Sequence, residues 1–157
     1  MKENGTLTWN LKALSKALKI SLADTQEYFT DGRRISFILE RRIAYEVLNG
    51  KLAKSEGDGW DVIDQAGGQW EVRSISDGGV YFCPSYMIGS GRKFNEEGFF
   101  KKLTEIEGYF LSDITQFPNI PYWKLDKSIV LDWYKNKKLG ASTKISKLKV
   151  LKYIKNI

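Results

Sequence analysis

Asp61 and Glu71 are the residues of this chain whose type and spacing best suit chemistry. They lie in two short β-prone runs, Trp60-Asp61-Val62-Ile63-Asp64 and Gln69-Trp70-Glu71-Val72-Arg73-Ser74-Ile75, separated by Ala66-Gly67-Gly68. Alternating runs around a Gly-Gly turn predict a β-hairpin. A turn centred near Ala66 sets Asp61 across from Glu71, with Cβ atoms roughly 4.5–5.5 Å apart. Side chains alternate along a strand, so Glu71 and Arg73 share one face and Trp70, Val72 and Ser74 take the other. Two carboxylates that close repel at neutral pH, and a hard divalent cation such as Mg²⁺ relieves the repulsion through oxygen ligands. A surface pair of acids neutralised by Arg73 is the simpler alternative. The apolar neighbours Trp60, Val62, Ile63, Trp70 and Val72 sit less well with it.

Composition narrows the chemistry further. The 157 residues contain no histidine and a single cysteine, Cys83. Serine and cysteine triads that need an imidazole base are excluded, as is nearly every zinc site. Cys83 sits in the apolar run Val80-Tyr81-Phe82-Cys83 and reads as a buried thiol. With one cysteine no internal disulfide can form, which fits a reducing compartment. The net charge is +6 and the pI about 9.3, a balance that favours an anionic partner, nucleic acid foremost. The charged start Met1-Lys2-Glu3 does not read as a secretory signal. No run approaches the roughly 18 apolar residues of a membrane span. The expected location is cytoplasmic.

The elements that must position the acids follow from periodicity. Leu7 to Phe29 reads as helical, with Leu11, Leu14, Leu18 and Leu22 on one face, and Thr30-Asp31-Gly32 as a turn. A longer helix is predicted from Arg34 to Leu48, stopped by Asn49-Gly50. It carries Glu40 near its apolar stripe. Lys51 to Gly59 reads as loop. After the hairpin, Ser76-Asp77-Gly78-Gly79 leads into a third strand beginning at Val80. Asn95 caps a helix to about Ile106. Tyr109 to Ile114 is a fourth strand, Pro118 and Pro121 bracket a loop, and Tyr122 to Leu125 is a fifth. Helices over Ile129–Lys137 and from Ser142 or Thr143 to about Ile154 close the chain. The fold class is α/β (α+β), a central mixed sheet of about five strands flanked by helices. It reads as a single domain, 1–157, with an N-terminal helical hairpin (1–32), a core (33–126) and a basic helical tail (127–157).

Asp61, Glu71-Val72-Arg73 and the preceding helical Glu40 resemble the motif of the PD-(D/E)XK nuclease superfamily, to which many restriction enzymes belong. Its core is a helix, a three-strand meander, a helix and a further strand, and the predicted order from Arg34 to Leu125 is similar. The resemblance implies a restriction-endonuclease-like core and a Mg²⁺-dependent endonuclease cutting double-stranded DNA, commonly as a homodimer. Asp61 and Glu71 would be the metal ligands, Glu40 would orient the site or add a ligand, and Arg73 would complete the catalytic set. The family has lysine where Arg73 stands. Arginine stabilises phosphate charge but does not readily give up a proton. Lys93 is a candidate substitute.

DNA contact is expected from Arg33, Arg34, Arg92, Lys93, Lys144 and Lys147. Arg92-Lys93 follow Gly89-Ser90-Gly91, a loop whose backbone could approach a phosphate closely. Lys144 and Lys147 belong to a tail with eight lysines and no acid between Lys135 and Lys155. Leu14 to Gln26 resembles a helix-turn-helix, with Lys19 in place of the usual turn glycine and with Asp24 and Glu27 on the second helix. That motif carries a second reading, a non-catalytic DNA-binding protein. A protein-interaction module is a third.

Overall fold

The computed structural model describes residues 1–55 and 59–157. The chain opens with β1 (Gly5–Thr8). Helix α1 (Leu11–Leu18) starts where Asn10 accepts the Ala13 amide, and it stops at Lys19, which takes the left-handed conformation at φ 56°. Helix α2 (Leu22–Thr30) is capped by Ser21. Helix α3 (Gly32–Arg42) is capped by Asp31 and runs on into a π-helical turn, Ile43–Val47. Then come β2 (Lys51–Leu52), β3 (Val62–Ile63), β4 (Gln69–Ile75) and β5 (Val80–Tyr81). Helix α4 (Glu96–Glu105) is capped by Asn95. It leads to β6 (Gly108–Asp113), β7 (Asn119–Asp126) and α5 (Lys127–Lys135). The last elements are β8 (Lys144–Ile145) and α6 (Lys147–Lys155).

Strand β6 is buried at every position, as an interior strand covered on both faces must be. It pairs parallel with β4 and antiparallel with β7. The six-stranded mixed sheet has the order β1-β7-β6-β4-β3-β2. The parallel β4–β6 pair needs a crossover, supplied by the segment from β5 through α4. One face of the sheet, with Trp70, Val72 and Phe110, packs on Ile35, Leu39 and Ile43 of α3 and its extension. The other, with Ile75, Tyr109 and Leu111, packs on Phe99 and Leu103 of α4, Val130 and Trp133 of α5, and Val150 and Ile154 of α6. Residues 70–73 therefore alternate as expected, and Glu71 and Arg73 point toward α4. Among the described residues no helix is long and apolar enough to cross a membrane.

Several predicted boundaries change. The helix expected from Leu7 starts only at Leu11, because Gly5–Thr8 pairs with β7 and Leu7 is buried from that strand. Lys51–Leu52 of the expected loop extends the hairpin by one strand; residues 56–58 of that loop lie outside the described residues. The strand beginning at Val80 is only two residues long and leaves the main sheet to pair with β8, which periodicity did not reveal. Pro121 lies inside β7, not in a loop, and pairs with Thr6. The final helix starts after Ser146, which makes no side-chain capping bond, and the expected caps Ser142 and Thr143 hold positive φ ahead of β8.

Candidate functional site

Strand β3 pairs Val62 with Trp70 and Ile63 with Gln69, and Asp61 lies one residue before it, bonded to the residues on either side of Glu71. The Asp61 amide donates to the Trp70 carbonyl at 3.0 Å. Among the described residues no strand beyond the end of β3 accepts the Val72 amide. Asp61 Oδ2 accepts it instead, at 2.8 Å. Asp61 is therefore held against β4 beside Glu71, its carboxylate turned to the backbone of that strand.

Glu71 is 3% exposed. Burial of a charged carboxylate requires partners, and it has two. Arg73 Nη2 lies 2.6 Å from Oε1, and Lys102 Nζ pairs with Oε2. Lys102 also donates to the Gly59 carbonyl. Arg73 reaches further, donating to Ser85 Oγ and the Cys83 carbonyl at 3.1 Å each. Its Nε is buried without a hydrogen-bond partner among the described residues. Arg73 thus braces Glu71 against the segment after β5.

Lys102 was missed by sequence reasoning, which offered Lys93 as the substitute for a lysine at position 73. Lys93 is exposed. The available signal was helical spacing: Lys102 falls three residues after Phe99 and next to Leu103, on the apolar face of α4. A lysine there needs a buried acid, and Glu71 supplies it.

Asp61 opens into two clefts. One, of about 390 Å³, is lined by Asp61, Glu71, Ser85, Tyr86, Lys102 and Glu105 among others. The second, of about 520 Å³, includes Phe37, Glu40, Arg41, Trp60 and Asp61. Burial and the neighbouring Glu71 charge push the Asp61 carboxyl up to about 6, although Arg73 and the Val72 amide oppose this. Burial and the Asp61 charge push Glu40 up to about 7. Glu40 makes no side-chain hydrogen bond among the described residues.

A pH dependence follows. The folded chain holds the Glu40 proton to higher pH than the unfolded chain does. Its contribution to stability is full below the unfolded value of 4.5 and is lost as pH rises through about 7. In the absence of divalent metal, Glu40→Gln should therefore stabilise the protein at pH 8 by about 1–2 kcal/mol after allowance for solvent screening, and by much less at pH 5. Thermal melts at both pH values check this. An equal change at both would contradict it.

Among the described residues no three acidic, cysteine or histidine side chains stand close enough to enclose a metal ion. The donor set still fits a hard divalent cation bound at fewer points. Magnesium commonly keeps several waters and takes one or two carboxylates. Asp61 has a second oxygen beyond the one that accepts the Val72 amide. Glu71 uses one lone pair on each oxygen of the roughly four sites that a carboxylate offers. Burial is the largest cause of the raised Asp61 and Glu40 values, and the mutual repulsion of the acids adds to it.

The predicted DNA-contacting cations divide into groups. Arg33 and Lys144, 111 positions apart, line one cleft of about 690 Å³ beside the acid site. Lys147 pairs with Asp77 at 3.3 Å on its rim. Arg34 packs over the Tyr28 ring at 4.9 Å. Arg92 donates to the Ser85 and Ile88 carbonyls, so it fastens its own loop. Asp24 and Glu27 of α2 are exposed, and the Asp24 carboxylate accepts from the Ser21 hydroxyl at 2.6 Å. Comparison with protein-family models, with curated proteins and with solved structures finds no match for this chain.

Proposed function

We propose that this protein is a Mg²⁺-dependent endonuclease of restriction type that hydrolyses phosphodiester bonds of double-stranded DNA. The observation that carries the reading is that Asp61 and Glu71 line one cleft with Lys102, and that Asp61 lines a second with Glu40. The sequence of α3, the antiparallel β2–β3–β4 meander, α4 and β6 supports a restriction-endonuclease-like core.

Asp61 and Glu71 would hold the metal, with Glu40 the nearby acid able to hold a proton near neutral pH. A divalent ion held by these residues would supply Lewis acidity to a water and to the scissile phosphate. Arg73 positions Glu71 through its ion pair and is a poor proton acceptor. Lys102 takes the part that the resemblance gives to a lysine after the acid: its ammonium sits against Glu71, at the cleft where phosphate charge would develop. A duplex requires two cuts, so a homodimer with one such site per copy suits this activity.

The test is conversion of supercoiled plasmid to nicked and linear forms in Mg²⁺, with EDTA as control. Lys102→Met should lower the cleavage rate by roughly 10²–10⁴-fold, the usual effect of losing a charge-stabilising or proton-handling group. Unchanged cleavage in that variant would remove Lys102 from the mechanism. The occupation of both Glu71 oxygens by cations favours a second reading, a non-catalytic DNA-binding relative. Salt-sensitive binding without any Mg²⁺-dependent cutting would select it.

A further inference from the structure

The two-stranded ribbon β5–β8 stands apart from the main sheet. Val80 and Ile145 of the ribbon are 2% and 3% exposed in the core. Alternation then turns their neighbours Tyr81 and Lys144, which pair with each other across the ribbon, to the opposite side. Both line the 690 Å³ cleft. Lys144 Nζ lies over the Tyr81 ring, 5.2 Å from its centroid. The start of α3, with Arg33 and Ser36, also lines the cleft.

Charge on this cleft is unbalanced toward the positive. Asp31 is matched by Arg33 and Arg34, each 3.6 Å away, and Asp77 by Lys147. Lys144 makes no ion pair among the described residues. The Arg33 side chain is 93% exposed and pairs with Asp31 at 3.6 Å, so its guanidinium can turn to a ligand at little desolvation cost while Arg34 stays beside Asp31. Arg73 and Ser85 line this cleft, and both touch the Glu71 cluster or its cleft. The cleft therefore adjoins the acid cleft, with Ser85 in the lining of both.

We infer that this cleft is a backbone clamp for double-stranded DNA, in which Arg33 from α3 and Lys144 from the ribbon each hold a phosphate of the strand leading to the Asp61–Glu71 site. The inference rests on the proposed nuclease reading for its substrate, and adds the path and the residues that fix it. Phosphate contacts position a duplex without reading its sequence. The ribbon supplies register, and the acids stay at the end of the path.

The test is fluorescence-anisotropy binding of a short duplex in EDTA over a range of KCl concentrations, with plasmid cleavage in Mg²⁺ run in parallel. Each phosphate contact contributes about 0.9 to the slope of log affinity against log salt. Arg33→Gln and Lys144→Gln should each reduce the slope by about 0.9, and the double variant by about twice that, equally for duplexes of unrelated sequence. Lys152→Gln, on α6 outside the cleft, should leave it unchanged. Unaltered slopes in both cleft variants overturn the clamp even if wild-type protein cuts plasmid. A loss confined to one duplex sequence overturns it in favour of base reading, and absence of any duplex binding overturns it outright. Reduced slopes without cleavage uphold the clamp and sink the hydrolytic reading alone.

Discussion

Glu71→Ala should lower the stability of the folded protein by about 3–5 kcal/mol, the loss seen when one partner of a buried charge pair is removed. Glu71 is 3% exposed and faces two cations, Arg73 and Lys102. The side chains of those cations are themselves only 14% and 8% exposed. Removing the carboxylate leaves both charges without their counter-ion in a site that water reaches poorly. For a domain of this size the loss lowers the melting temperature by roughly 6–20 °C. Adding Lys102→Met to Glu71→Ala removes one of the stranded charges. A double-mutant cycle should then show coupling of about 0.5–3 kcal/mol between the two positions. Additive losses would mean that the ion pair contributes nothing that either residue does not contribute alone.

Asp61→Asn has the opposite balance. Amide for carboxylate keeps the side-chain oxygen that accepts the Val72 amide, and it removes a charge that burial and Glu71 already disfavour. The folded state holds that proton up to about pH 6, so the wild-type carboxylate weakens the fold above that value. Without metal, the variant should be at least as stable as wild type at pH 8. On the proposed nuclease reading, cleavage should in contrast fall by roughly 10²–10⁴-fold or more, because a neutral amide would be a poor ligand for Mg²⁺. The combination separates a functional acid from a structural one. Were Asp61 only a strand-end brace, activity and stability would move together.

The part of the site that local pattern controls could be read from the sequence. Asp61 beside Glu71 follows from the Gly67-Gly68 turn and from the period-two alternation on either side, since a slip of one residue would turn Trp70 and Val72 out of the core. Helix α4 was legible from Asn95 and the Phe99–Leu103 spacing. What escaped depends on how elements dock. Lys102 meets Glu71 only because α4 crosses from β5 back over the sheet to β6, and nothing in the residues around Lys102 names its partner. The ribbon pairs Val80-Tyr81 with Lys144-Ile145, two strands too short to show a period. Leu7 lies ahead of a leucine series with helical spacing, and its strand appears only because β7 offers an edge to pair with.

The most direct measurement is calorimetric titration of Mg²⁺ into wild-type protein and into Asp61→Asn, without DNA, in buffers of different ionisation enthalpy near pH 6.5. Wild type should bind one ion per site and release part of a proton per ion, since Asp61 and Glu40 are still partly protonated there and metal ligands must deprotonate to bind. The variant should bind far more weakly. No detectable binding by wild type, or equal binding by both proteins, would contradict a metal centre built on Asp61 and Glu71.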